Sequence, residues 1–271
     1  MKKIFEDLSE EFLVEVIERT NAECYITFSD WPELELHEEG GILFTMTDIP
    51  LPFFNAVLFT RMHPEDMVDR VESVLLMAKE RKVPIVWFIT PLSQPLDLSS
   101  YLTTKGFILS SEVGMVADLE QLGEPVKRPD DLSIKVIRDV EAFKTWCDIL
   151  TDVFEIPLFA AGPWFELYSS IGFLGPWRHY MAFLEDEPAG ISSLLLGSTA
   201  TAIENVATLP GYRGRGIGAV LVRKALEDSR RQGYRIATML ASRMGERVYR
   251  RLGFQEVCRI GMYIWTEEQE G

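Results

Sequence analysis

The chain is short of several things that would narrow its function at once. Its 271 residues include three cysteines and three histidines. Cys24, Cys147 and Cys258 are odd in number and widely spaced, so they suggest neither a disulfide framework nor a metal-ligand set. They read as free buried thiols. His37, His63 and His179 are equally scattered, and no metal is expected. No apolar run is long enough to cross a bilayer. The opening MKKIFEDLSEEF turns acidic after two lysines and lacks a signal-peptide core, which makes a cytoplasmic location the default expectation. Basic residues are also scarce: 27 Lys and Arg stand against 42 Asp and Glu, a formal net charge of −15. Nucleic acid and anionic membrane both need a basic surface, so neither is expected as a partner. A cationic acceptor such as an amine is compatible with this balance.

What the chain does have is a full set of core material. Hydrophobic residues make up 47% and charged residues 25%, the balance of a globular protein of one large or two ordinary domains. Leu8, Phe12, Val16 and Ile17 share one face of an opening amphipathic helix. Strand material follows, interrupted at Gly40-Gly41 and at Pro50 and Pro52. HPEDMVDRVESVLLMAKERK reads as a helix with proline and acids at its start and basic residues at its end. VPIVWFIT is a strand, SSYLTTK a short helix and FILSSEVGMVADL closing strand material. Residues 123–131 (GEPVKRPDD) form the best linker in the chain. After them come a strand and helix (SIKVIRDVEAFKTWCDIL), a helix over Trp164–Ser170, a hairpin turning at Glu185–Pro188, and the strand ATAIENVA. YRIATMLAS, RMGERVYRRL and FQEVCRIGMYIW read as strand, short helix and strand.

An internal repeat is visible. Gly106-Phe107 precedes Gly114-Met115 by eight residues, and Gly253-Phe254 precedes Gly261-Met262 by the same interval. Each Gly-Phe follows an apolar strand and a short helix. The chain therefore reads as two copies of one α/β fold, divided as 1–125 and 130–271.

The most informative stretch is IENVATLPGYRGRGIGA, Ile203 to Ala219: strand, turn, glycine-rich loop, then a helix with Val220, Leu221, Ala225 and Leu226 at helical spacing. Glycines let an anion approach backbone N–H groups at the positive end of a helix, and Arg213 and Arg215 add charge where a pyrophosphate would lie. The loop is no Walker motif, since Gly216-Ile217-Gly218 lacks the lysine and hydroxyl. As a dinucleotide fingerprint, Gly214-Arg215-Gly216 would need Ala219 as its third member. R-x-x-G-x-G, filled by Arg213, Gly216 and Gly218, fits better. With its downstream context, this stretch resembles the acetyl-CoA loop of the GCN5-related N-acetyltransferase (GNAT) family, over roughly residues 130–265.

The resemblance implies two tandem GNAT-like domains, each a mixed, mostly antiparallel sheet flanked by helices. The first is degenerate: in place of RGRGIG it has RMHPEDM (Arg61–Met67), without glycine and with Glu65 and Asp66 unfavourable to phosphate. In the second, Val206, Ala207 and Thr208 would pair with the pantetheine arm of acetyl-CoA, where their strand splays from the next. Arg213, Gly214, Arg215, Gly216, Ile217, Gly218 and Ala219 would hold the pyrophosphate, and Ser242 is a weaker cofactor contact. Tyr249, four residues before Gly253, is the expected general acid, and Glu204 the candidate base; for Glu204 a solvent-facing strand position is an equal alternative. Trp164, Tyr168, Trp177 and His179 are candidates for an acceptor pocket or for core packing. The implied reaction moves acetyl from acetyl-CoA to a primary amine on a small molecule or peptide, with a homodimer compatible. A non-catalytic acyl-CoA-binding module is the alternative.

Overall fold

The computed structural model describes residues 8–123, 125–173 and 175–267. Part of the opening stretch (1–7), one position of the 123–131 linker and the last residues (268–271) lie outside the described residues. The first half contributes α1 (Glu10–Ile26), β1 (Glu35–Glu39), β2 (Ile42–Met46), β3 (Ala56–Thr60), α2 (Met67–Arg81), β4 (Ile85–Ile89), α3 (Leu98–Thr104) and β5 (Ile108–Asp118). The second contributes β6 (Leu132–Val136), α4 (Val140–Val153), α5 (Leu158–Ser170), β7 (Trp177–Leu184), β8 (Glu187–Leu196), β9 (Thr201–Thr208), α6 (Ile217–Arg231), β10 (Ile236–Ala241), α7 (Glu246–Arg251) and β11 (Phe254–Trp265).

Local chemistry sets the ends of these elements. Asp139 caps α4 by accepting the Ala142 N–H at 2.9 Å, and Ser9 does the same for α1 from Phe12 at 3.4 Å. α2 stops at Lys82, whose φ of 57° leaves the helical region. α5 begins at Leu158, ahead of the Trp164 start that the sequence pattern suggests, and carries Pro163 inside it. Pro163 is the sixth residue of α5, past the first turn, so it removes the helical bond that an N–H at this position would donate to the Phe159 carbonyl.

The eleven strands among the described residues form one sheet in the order β1-β2-β3-β4-β11-β5-β10-β9-β8-β7-β6. All neighbours are antiparallel except β3/β4 and β9/β10. The fold is thus α/β with a mostly antiparallel sheet, and the two halves exchange their final strands. β5, from the first half, pairs with β10 of the second (Ile236↔Asp118 to Ala241↔Val113). β11, from the second half, pairs with β4 of the first (Gly261↔Ile89 to Trp265↔Ile85). The two exchanged strands then pair with each other from Phe254↔Ala117 to Ile264↔Ile108. The repeated Gly-Phe dipeptides mark the entry to these two strands.

Helices cover both faces. α2 and α3 pack over Trp87, Phe107 and Trp265, and α6 over Met115, Ala182 and Ala237, on one face. On the other, α1 packs over Val86, Val116 and Ile260, beside α4 and α5 over Trp177, Met181 and Ile191. Because α1 contacts β3, β5, β9, β10 and β11, it bridges the two halves. A chain ending at residue 125 would leave β4 without β11 and β5 without both of its neighbours, exposing three strand edges. Such a fragment is expected to show no cooperative thermal transition by circular dichroism, whereas the full chain melts cooperatively.

Candidate active site

The glycine loop opens α6. Gly214 and Gly216 have φ of 79° and 80°, and an added Cβ would meet nothing within 4 Å at either, so glycine is there for backbone conformation. The first bond of the helix ladder runs from the Val220 N–H to the Gly216 carbonyl at 3.1 Å. The N–H groups of Ile217, Gly218 and Ala219 therefore precede the ladder at the positive end of the helix. Arg213 and Arg215 are exposed beside them. Arg213 Nε donates to the Thr208 carbonyl at 3.2 Å, and the Arg215 guanidinium sits 5.6 Å over the Tyr212 ring. Ile217, by contrast, is buried in the core and anchors the loop.

Ahead of the loop the sheet opens. β9 stays paired with β8 as far as Gly190↔Thr208, but with β10 only at Thr201↔Ala237 and Ala202↔Thr238. The Thr238 hydroxyl donates to the Thr201 carbonyl at 3.2 Å just where the two strands part. Beyond it, the backbone of residues 203–208 has no strand on its β10 side. β9 also bulges: Ser193 faces Glu204 and Ile191 faces Ala207, which leaves an extra residue on β9. Asn205 in this bulge has φ 54°, and its Nδ2 donates to the Tyr168 hydroxyl at 2.8 Å.

The gap opens into a cavity of about 420 Å³ on the α1/α4/α5 side. Glu204, Val206, Ser242 and Tyr249 line it, as do Trp164, Tyr168 and Trp177. Ala207 is buried and Thr208 half-buried. Ser242 is exposed, and its hydroxyl oxygen accepts the Gly245 N–H at 3.4 Å at the start of α7. His179 is not in the cavity wall. It is buried with Nδ1 2.9 Å from Ser193 Oγ, and burial, with Arg178 adding to it, lowers its pKa to about 3, so it is a neutral core residue.

Two residues that the sequence reading passed over complete the site. Glu112, on exchanged strand β5, lies one position beyond the Ala241↔Val113 pair and lines the same cavity. Gly245 lies under the Tyr249 ring, where a Cβ would come within 2.4 Å of the ring carbon Cε2. Glu112 follows Ser110 and Ser111 at the exposed end of β5, so nothing local in the sequence sets it apart as a cavity residue.

The electrostatics follow from this crowding. The Glu204 carboxyl makes no hydrogen bond among the described residues. Burial in the cavity wall, followed by the charge of Glu112, raises its pKa from 4.5 to about 8. Burial raises that of Glu112 as well. Tyr249 is pushed up to about 12, by burial first and then by Glu204 and Glu112. Cys24 of α1, also in the wall, is held well above its ordinary range by burial and by the nearby carboxylates Glu204 and Glu23.

The matching gap in the first half is closed by the chain itself. β3 and β4 pair only at Ala56↔Val86 and Val57↔Trp87. Trp87 Nε1 donates to Thr60 Oγ1 at 2.9 Å, and the Gln94 N–H donates to the Thr60 carbonyl at 3.1 Å. Arg61, which opens RMHPEDM, donates to buried Glu18 at 2.6 and 3.2 Å.

Residues 143–254 match the family model described as Acetyltransferase (GNAT) family. This segment is a GNAT domain. Solved structures with the same fold span nearly the whole chain. A GCN5-related N-acetyltransferase from Kribbella flavida aligns with a TM-score of 0.72 at 14% identity, over 96% of this chain and 96% of that one. One from Sphaerobacter thermophilus gives 0.64 at 14% identity, over 93% and 91%. A tandem GNAT protein from the clavulanic acid biosynthesis pathway gives 0.62 at 14% identity, over 95% of each chain. No curated protein matches the sequence. The GNAT fold is one that supports acyl transfer. Among the described residues no helix is long and apolar enough to cross a membrane, and no group of three or more His, Cys, Asp and Glu could hold a metal ion.

Proposed function

We propose that the GNAT domain transfers an acetyl group from acetyl-CoA to a primary amine. The observation that carries this reading is the gap between β9 and β10, which has a free strand edge on one side, the glycine loop at its end, and both Glu204 and Tyr249 in its cavity. These residues fit the cofactor. The backbone at Val206, Ala207 and Thr208 would pair with its pantetheine amides. The N–H groups of Ile217, Gly218 and Ala219, with Gly214, Gly216, Arg213 and Arg215, would hold its pyrophosphate. Ser242 stands at the far lip of the gap.

Bound acetyl-CoA would supply the activated thioester. Glu204, in its ionised form, accepts the proton that the amine gives up as its N–C bond forms, and the Tyr249 hydroxyl supplies the proton that the departing sulfur takes as the C–S bond breaks. Transfer is direct. Cys24 is the thiol in the cavity wall, and burial keeps it protonated and a poor nucleophile. A purely acyl-CoA-binding role would not need a carboxylate and a tyrosine in one cavity at the end of the gap.

Calorimetric titration of acetyl-CoA tests this. Wild type should bind saturably. Gly216→Glu forces a side chain into a left-handed position and adds negative charge at the loop, so it should weaken binding at least about tenfold, roughly 1.4 kcal/mol. Absence of binding to the wild type would overturn the reading.

A further inference from the structure

The wall of the cavity describes what it can accept. Beyond the strand gap it is lined by Phe28, Phe53, Phe54, Trp164, Tyr168 and Trp177. Its mouth is apolar as well: Phe53 is 41% and Phe154 49% exposed, and both are part of the lining. The ionisable side chains that could carry charge there are all acids, Glu112, Glu155 and Glu204, and no Lys, Arg or His is among the described lining residues. Glu112 and Glu204 lie at the strand gap and Glu155 at the exposed end of α4. A carboxylate entering this site would be stripped of water with no cation to meet it, beside two glutamates. An amino group would find those glutamates at one end, and an aromatic body would cover the rings at the other.

On the acetyl-transfer reading above, we propose that the acceptor is a primary amine carried on an uncharged aromatic body and lacking a carboxylate. α1 and exchanged strand β5 supply part of this pocket, through Cys24 and Tyr25 and through Glu112, with Phe28 just beyond the end of α1, so the first half of the chain shapes the acceptor site although its own gap is closed. A cavity of about 420 Å³ suits an acceptor of one or two rings.

The test uses matched pairs, phenethylamine against phenylalanine and tryptamine against tryptophan, with spermidine as a polar amine. Two readouts are taken on the full-length protein: thermal shift without acetyl-CoA, and release of CoA thiol with it. The expected result is a concentration-dependent thermal shift with the aromatic amines, and kcat/KM at least 100-fold above that of the matching amino acid and of spermidine. Because Phe53 and Phe154 are partly exposed, the double change Phe53→Ser and Phe154→Ser should leave the fold and acetyl-CoA affinity intact. It should also raise KM for phenethylamine about tenfold. Equal response to phenylalanine, preference for spermidine, or no shift with either aromatic amine would overturn the proposal. Selective thermal shift by the aromatic amines without CoA release from any acceptor would instead remove the transferase reading and leave the amine site standing.

Discussion

Replacing Tyr249 by phenylalanine should lower kcat by about 10² to 10⁴-fold while changing acetyl-CoA affinity less than about twofold. The substitution removes one hydroxyl and keeps the ring. That ring contacts Phe254 edge-on, with centroids 6.2 Å apart, and lies over Gly245. Both contacts survive in phenylalanine, so the melting temperature should hardly move. The loss falls on kcat because the hydroxyl acts only when charge develops on the departing sulfur. With its pKa pushed up to about 12, Tyr249 keeps its proton throughout the usual assay range and can deliver it. Steady-state kinetics with calorimetry on the same preparation separates the two quantities. An unchanged kcat would remove Tyr249 from the chemistry.

Glu204→Gln is the second large effect, and it has a pH signature. Burial and the neighbouring Glu112 raise the pKa of Glu204 to about 8, so at pH 6 the carboxyl already holds the proton that a base must be free to take. Wild-type kcat, measured with the amine saturating so that its own ionisation in solution does not enter, should rise with pH through about 8, and the glutamine variant should lose that limb and run about 10² to 10⁴-fold lower on the alkaline side. Stability should move the other way. A carboxyl with a folded pKa raised from 4.5 to about 8 binds its proton more tightly in the folded state. Its stabilising contribution is complete below about pH 4.5 and is lost as pH rises through 8. At pH 9 the wild type buries a charge that glutamine avoids, so the variant should be the more stable by roughly 2 kcal/mol, allowing for solvent reaching the cavity. At pH 4 the two should melt alike. A pH limb that persists in Glu204→Gln would assign the base elsewhere, with Glu112 next in line.

The parts of the site that were legible in the sequence are the parts made by neighbours in the chain. The loop from Arg213 to Ala219 opens a helix because glycine at 214 and 216 permits the backbone and Val220, Leu221 and Ala225 supply the helical period. Tyr249 could be singled out through the GNAT resemblance, as the tyrosine on the short helix one turn before Gly253. Glu204 could be singled out as a carboxylate in an apolar strand, but the side it faces depends on the bulge at Asn205, and alternation breaks at a bulge.

By itself, then, the sequence determined the elements, the repeat and the phosphate-type loop, since each rests on local backbone preference and short-range periodicity. Which strand lies beside which was decided only in three dimensions. The Gly-Phe repeat reveals two equivalent strands without saying that each would leave its own half, because β5 and β11 share the Gly-Phe and Gly-Met spacing and nothing in that spacing says which half either strand joins. That exchange brings Glu112, 92 positions before Glu204 in the chain, into the same cavity, where its charge adds to the burial that raises the pKa of Glu204. Long-range pairing is chosen by the packing of the whole sheet, and no window of sequence contains it.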